Sequence, residues 1–252
     1  MSTLSRRKLI AAGLGVSAGG TGLGVAASLA RRYGLIPPDH GGLYGPGETM
    51  TYAAQRLLTR HSMAREFSRN QISKSPFPNG DPPQDVDYKR LQTGGFADWR
   101  LDVSGMVAEP TSFSLAELKS FPSRSQITHL ACEEGWSFIA EWIGVPLSHV
   151  LKVVGTLPQA KYVVYVSIQT YWWESIDMAD ALHPQTLLTY GMNGGDLPAG
   201  HGGPIRLRLP RQLGYKSVKY LTRLIVTDDL KKFGKGLGSS SPEGGYAWYA
   251  GI

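Results

Sequence analysis

From Trp99 onward the chain switches repeatedly between two hydrophobic periods. Trp99-Arg-Leu-Asp-Val-Ser-Gly105 alternates apolar and polar positions, which predicts a half-buried strand. Ile127-Thr-His-Leu-Ala131 predicts another, leading directly into Cys132. Tyr162-Val-Val-Tyr-Val-Ser-Ile168 is β-branched and aromatic, the composition of a buried strand. Ile205-Arg-Leu-Arg-Leu209 alternates strictly, and Leu221–Thr227 supplies a further strand. Between them, Ser114-Leu-Ala-Glu-Leu118 predicts a short helix opened by a capping box from Ser114 to Glu117. Val145–Val154 predicts an apolar helix starting near Pro146, while Met178–Leu182 and Pro184–Tyr190 predict two shorter ones. Strands and short helices without regular βαβ spacing place the domain in the α+β class, and no internal repeat is present.

Residues 31–95 have a different texture. Pro37-Pro38, Gly41-Gly42, Pro46-Gly47, Pro76-Phe-Pro78-Asn-Gly80 and Pro82-Pro83 punctuate them, with one short helix expected near Tyr52–Ser62. Their aromatics and the pair Arg69-Asn70 suggest an arm lying on, or linking to, a main domain at 96–252. Further upstream, Arg6-Arg7-Lys8 precedes the uncharged stretch Ala11–Ala30, with Ser28 and Ala30 at a plausible cleavage point. Residues 1–30 therefore read as a twin-arginine export signal, which implies a periplasmic protein exported folded. An uncleaved membrane anchor is the alternative.

Charge and cysteine count narrow the chemistry. The formal net charge is +6, but Arg6, Arg7 and Lys8 belong to the leader, and no long Lys/Arg run points to a nucleic-acid partner. One cysteine excludes an intrachain disulfide framework. A free cysteine is usually a small buried filler. Cys132, however, sits in the polar run Thr128–Ser137, and an exposed idle thiol is a liability in an oxidising compartment, which favours a buried or ligated sulfur. The segment after Cys132 lacks the second glycine of a nucleophile elbow, no His-Glu-x-x-His pattern exists, and Gly234-Lys-Gly-Leu-Gly238 matches no standard phosphate-loop spacing.

One cluster survives these tests. His201-Gly-Gly-Pro-Ile-Arg206 is followed by Gly214-Tyr-Lys216-Ser217-Val-Lys219, bringing guanidinium, ammonium, hydroxyl and glycine backbone together as a phosphate site requires. A solvated basic strand edge is the plain alternative. Combined with a soft thiolate, the cluster points to an anionic, metal-bearing cofactor.

From about Phe67 to Asp229 the chain resembles the molybdenum-cofactor domain of the sulfite oxidase superfamily. The resemblance rests on ordered blocks: Phe67-Ser-Arg-Asn70, Trp99–Val107, Phe113–Leu118, Cys132, Trp142-Ile-Gly-Val-Pro-Leu147, Ser175–Leu182, Met192-Asn-Gly194, His201–Leu207 and Gly214–Tyr220. It implies a mixed-sheet α+β cofactor domain in which Cys132 ligates molybdenum. It further implies that His201 and Arg206 grip a molybdopterin and its phosphate, and that the loop of Lys216, Ser217 and Lys219 closes over it. Val218 would contribute through its backbone, and Arg69, Asn70 and Ser167 would make further cofactor contacts. The pattern Cys132-x-Glu134-x-Trp136-Ser137 is closer to the methionine sulfoxide reductase catalytic subunits of that superfamily than to its sulfite-oxidising branch. Glu133 and Glu134 would repel sulfite.

The expected activity is oxygen-atom transfer at a Cys-ligated molybdenum centre, most simply reduction of an S-oxide or a similar small substrate. A sulfite dehydrogenase and a non-catalytic binding module on the same fold are the alternatives. No haem or iron–sulfur cysteine motif occurs, so electrons would come from a separate partner such as a membrane cytochrome. Trp172 and Trp173 fit an aromatic pocket mouth and a core position equally well.

Overall fold

The computed structural model describes residues 28–252, so the expected export signal lies outside the described residues except for its last three positions. Two sheets form the body. The first has the order β2 (Thr111–Ser114), β1 (Arg100–Gly105), β10 (Leu221–Thr227), β5 (Tyr162–Ser167) and β6 (Trp173–Asp177). Only β1 and β10 run parallel within it. The second runs β3 (Arg124–Ala131), β4 (Ser137–Pro146), β7 (Leu187–Met192) and β8 (Gly195–Asp196), with β9 (Arg206–Arg208) also paired to β7. Five helices complete the elements used below: α1 (Gly45–Leu58), α2 (Val86–Thr93), α3 (Leu115–Ser120), α4 (Leu147–Val153) and α5 (Met178–Ala181). The architecture is α+β, as the strand and helix pattern predicts, with the mixed strand directions that the family resemblance implies.

The main core draws Leu101 and Val103 of β1, Leu224 of β10 and Tyr165 of β5 from the first sheet. Val145, Leu188 and Leu207 join it from the second. Strand β5 explains its own unbroken apolar run. Val163 and Tyr165 face this core, whereas Val164 and Val166 pack on the opposite side with Tyr52, Trp248 and Tyr249. A strand covered on both faces has no polar side to show.

The covering element on that second side is the arm. In α1, Arg56 pairs with Asp177 (2.7 Å) and Asp180 (2.5 Å), and the Tyr52 hydroxyl donates to Asp177 at 2.7 Å. Asp39 accepts the Trp248 N–H at 2.8 Å and Glu48 accepts that of Tyr249 at 2.9 Å. The helix starts earlier than the expected Tyr52–Ser62 because Pro46 occupies the first turn, where its missing N–H costs nothing.

Two other expectations change. Pro184–Tyr190 is not helical: Leu187–Met192 is β7, held between β4 and β9. Val145 and Pro146 end β4, so α4 begins only at Leu147. The Ser114 capping box is present, with Glu117 accepting the Ser114 N–H at 2.7 Å.

Candidate active site

Strand β3 runs out at Ala131, and the turn Cys132–Gly135 carries the chain into β4. The turn closes by hydrogen bonds from the Cys132 N–H to the Trp136 carbonyl (3.0 Å) and from the Gly135 N–H to the Cys132 carbonyl (3.1 Å). This places Cys132 on the wall of a cleft of about 520 Å³. Its thiol donates to Glu133 Oε2 at 3.1 Å, and burial above all, reinforced by the neighbouring carboxylates, pushes it up to about 12. The sulfur therefore keeps its proton until a metal displaces it.

A cationic wall shares the cleft. Arg206, on β9, donates to the carbonyls of His201 (2.9 Å) and Ser217 (2.7 Å), leaves Nε without a partner, and lies over the Trp142 ring at 5.3 Å. Burial lowers its guanidinium to about 10. Lys219 Nζ sits 2.6 to 3.0 Å from the carbonyls of Gly200, Asn79 and Pro78. Burial, and then Arg206, lowers it to about 7. Burial also takes His201 down to about 4, with Arg206 and Lys219 adding to the effect. Gly202 has φ +107°, and a Cβ there would press on Lys219 at 2.9 Å and Arg206 at 3.2 Å, so only glycine lets the two cations converge.

Two cationic side chains, Arg206 and Lys219, thus share a partly buried site with a neutral His201, and neither cation has a carboxylate partner among the described residues. Buried cations normally have one. A bound dianionic phosphate would supply the missing charge, and a soft metal would find Cys132 in the same cleft. The donor set fits a phosphate-bearing molybdenum cofactor. Among the described residues no group of three His, Cys, Asp or Glu side chains gathers to hold a metal alone, so Cys132 would act with ligands supplied by the cofactor.

Of the residues singled out from sequence, Cys132, Ser167, His201, Arg206, Ser217 and Lys219 line the cleft. The others do not. Lys216 is fully buried with Nζ on Glu174 at 2.6 Å and the Ser175 carbonyl at 2.9 Å. Its charge is already matched. Val218 packs in the core, and its carbonyl accepts the Leu207 N–H. Arg69 leaves its side chain 75% exposed and pairs with Glu141 at 2.9 Å, while Asn70 is exposed beside Ser68. The basic strand edge is also not solvated: Arg206 and Arg208 are both buried.

Further residues join the site: Trp136 belongs to the pattern that follows Cys132, whereas Phe77 and Tyr246 carry no sequence signal of their own. Trp136 stacks on Phe138 with ring planes 9° apart and donates to Glu134 at 2.7 Å. Phe77, Tyr171 and Tyr246 line the cleft from separate loops. The two adjacent tryptophans divide the roles between them. Trp172 lines the cleft, whereas Trp173 packs against Phe233.

Residues 88–233 match the model of the oxidoreductase molybdopterin binding domain. The chain belongs to this family, and it is a molybdopterin-dependent oxidoreductase of the sulfite oxidase type. It is 38% identical over 195 residues to the putative protein-methionine-sulfoxide reductase subunit YedZ1 of Azospira oryzae, covering 77% of this chain and 70% of that protein. It is 36% identical over 151 residues to the protein-methionine-sulfoxide reductase catalytic subunit MsrP of Xanthomonas campestris, covering 54% of this chain. That alignment spans 47% of the MsrP protein, so the chain matches about half the length of such relatives. Among solved structures, the sulfane dehydrogenase SoxCD of Paracoccus pantotrophus superposes with a TM-score of 0.50 at 26% identity. The superposition covers 53% of this chain and 39% of that one.

Proposed function

We propose that this chain is an exported catalytic subunit that reduces a small neutral S-oxide of the methionine sulfoxide type, drawing electrons from a separate partner such as a membrane cytochrome. The observation that carries the reading is a cleft in which one thiol, flanked by two carboxylates, lies in the same cavity as a cationic wall without counter-charge. When bound, the molybdenum centre supplies two-electron exchange of an oxygen atom with substrate.

The chain's own residues divide the remaining work. Cys132 holds the metal. Arg206, Lys219 and His201 hold the phosphate end, with Ser217, Ser167 and the backbone around Val218 completing the cradle. Lys216 serves that loop from beneath, through Glu174, and Arg69 braces the outer face of β4 through Glu141. Glu133 and Glu134 make the cleft repulsive to sulfite and other oxyanions. Trp136, Phe138 and Trp172 offer the aromatic surface that a thioether methyl or sulfur favours.

The likeness to a sulfane dehydrogenase favours a second reading, oxidation of a reduced sulfur anion. The acidic pair beside Cys132 opposes it. The deciding experiment uses protein from a cofactor-competent host, with molybdenum content measured beside Cys132→Ala. Reduced viologen dye is the electron donor for methionine sulfoxide, and sulfite is tested as a reductant of the metal. Near-stoichiometric metal, turnover of the sulfoxide and loss of both turnover and the native metal spectrum in Cys132→Ala are expected. Fast reduction by sulfite without sulfoxide turnover would reverse the assignment.

A further inference from the structure

Helix α1 carries its charges on the wrong side for a water-facing helix. Its only charged residues are Glu48 and Arg56, and both are buried against the body. The outward stripe consists of Gly47, Met50, Thr51, Ala54, Leu57 and Leu58, all exposed and all uncharged. Met50 is 73% and Leu58 62% exposed, and Leu43, one turn before Gly47, is 82% exposed. At 100° per residue the positions from Gly47 to Leu58 fall within one face of the helix, opposite Glu48, Tyr52 and Arg56, while Leu43 lies in the turn before it. Singly exposed apolar residues are ordinary, but a contiguous stripe with no charge at all is a contact surface.

The charge around the stripe identifies what it contacts. Between residues 28 and 65 the only acids are Asp39 and Glu48, and both are buried. Arg31, Arg32, Arg60 and Arg65 are all exposed, and the next acid, Glu66, is held by Arg124 at 2.6 Å, so every exposed full charge without an ion-pair partner here is positive. An apolar helical stripe flanked by arginines, with no unpaired exposed carboxylate beside it, is the arrangement that lies in the interface of a bilayer with anionic headgroups. The chain also reaches Arg31-Arg32 directly from the uncharged stretch Ala11–Ala30.

We propose that α1 and its arginine flanks form a membrane-surface docking face, which seats the oxidoreductase domain peripherally on an anionic phospholipid bilayer. Apolar burial holds the stripe, and the arginines make the attachment depend on headgroup charge and salt. Neither the cleft nor the substrate enters this inference, so it stands or falls separately from the proposed activity.

The test uses the full chain with its cofactor, sedimented with vesicles of phosphatidylcholine alone or mixed in equal parts with phosphatidylglycerol. Binding is expected to the mixed vesicles only, and to weaken as salt is raised. The triple variant Met50→Ser, Leu57→Ser, Leu58→Ser should bind roughly tenfold more weakly while keeping its molybdenum content, since all three side chains are exposed. Met50→Trp should shift its emission to the blue on adding mixed vesicles and be quenched by brominated lipid. Equal binding by the triple variant would assign attachment to the leader and overturn the proposal. So would failure of the full chain to bind, or equal binding to both vesicle types. Self-association in solution that the triple variant abolishes, without vesicle binding, would give the stripe to a second copy of the chain and overturn it as well.

Discussion

Lys219 shows how much of this site is set by charge left without a partner. Its ammonium is surrounded by carbonyls, and burial together with Arg206 brings it from 10.5 to about 7. Between those values the unfolded chain holds a proton that the folded, cofactor-free protein does not, so this group makes stability rise with pH across that window. Below pH 7 both states are protonated and the cost is complete. Lys219→Met should therefore raise the Tm of cofactor-free protein at pH 7, with the gain shrinking toward pH 10. The same change should reduce molybdenum retention in loaded protein. Thermal melts at several pH values and elemental analysis check both halves. Cys132, His201, Arg206 and Lys219 stood out in the sequence as chemically distinctive side chains, His201 between Gly200 and Gly202, and all four line one cleft. Trp172 and Trp173 were not separable, because one ends a turn and the other opens β6, a boundary that no local pattern marks.

At the scale of elements, the loop Gly214–Lys219 depends on a strand far from it in sequence. Lys216 and Glu174 form an ion pair with both side chains fully buried, and Glu174 also accepts the backbone N–H and the hydroxyl of Ser241. Removing one partner strands the other, which typically costs about 3–5 kcal/mol. Lys216→Met should destabilise by about that much in urea unfolding, and Lys216→Met with Glu174→Leu should recover a good part of it. The sequence offered Lys216 as a phosphate ligand because it lies three residues from Lys219; its partner is 42 residues away and invisible to a local reading. Strand β7 escapes a local reading for a related reason. Pro184-Gln-Thr-Leu-Leu-Thr has no alternation, since β4 and β9 bury it and polar Thr189 sits in the interior. By contrast β5 and β10 carried enough β-branched residues to declare themselves.

Across the whole molecule, the arm and the segment around Trp248 are fastened to each other as well as to the body. Glu48 is the sensitive point. Burial, and then the neighbouring Asp39 carboxyl, raises it to about 8 from 4.5. A folded-state value above the unfolded one means that the protonated pair stabilises fully below about pH 4.5 and that this contribution is gone once pH has risen through 8. Glu48→Gln, which keeps an oxygen for the Tyr249 N–H, should flatten the loss of stability between pH 5 and 8. Hydrogen exchange of α1 and of residues 246–250 should follow the same course. Residues 31–95 showed a helix near Tyr52 and the possibility of an arm, but not its fastening, because the partners Trp248 and Tyr249 lie about 200 positions away.

The bond from Trp248 to Asp39 spans 209 positions of the chain. During synthesis the arm is made long before the residues that hold it exist. Nearly the whole of β1 to β10 is translated while α1 waits without its seat, its apolar stripe and its buried charges alike facing the cytosol. The arm can be fully fastened only after Tyr249 has cleared the ribosome, which makes arm docking a late step in folding.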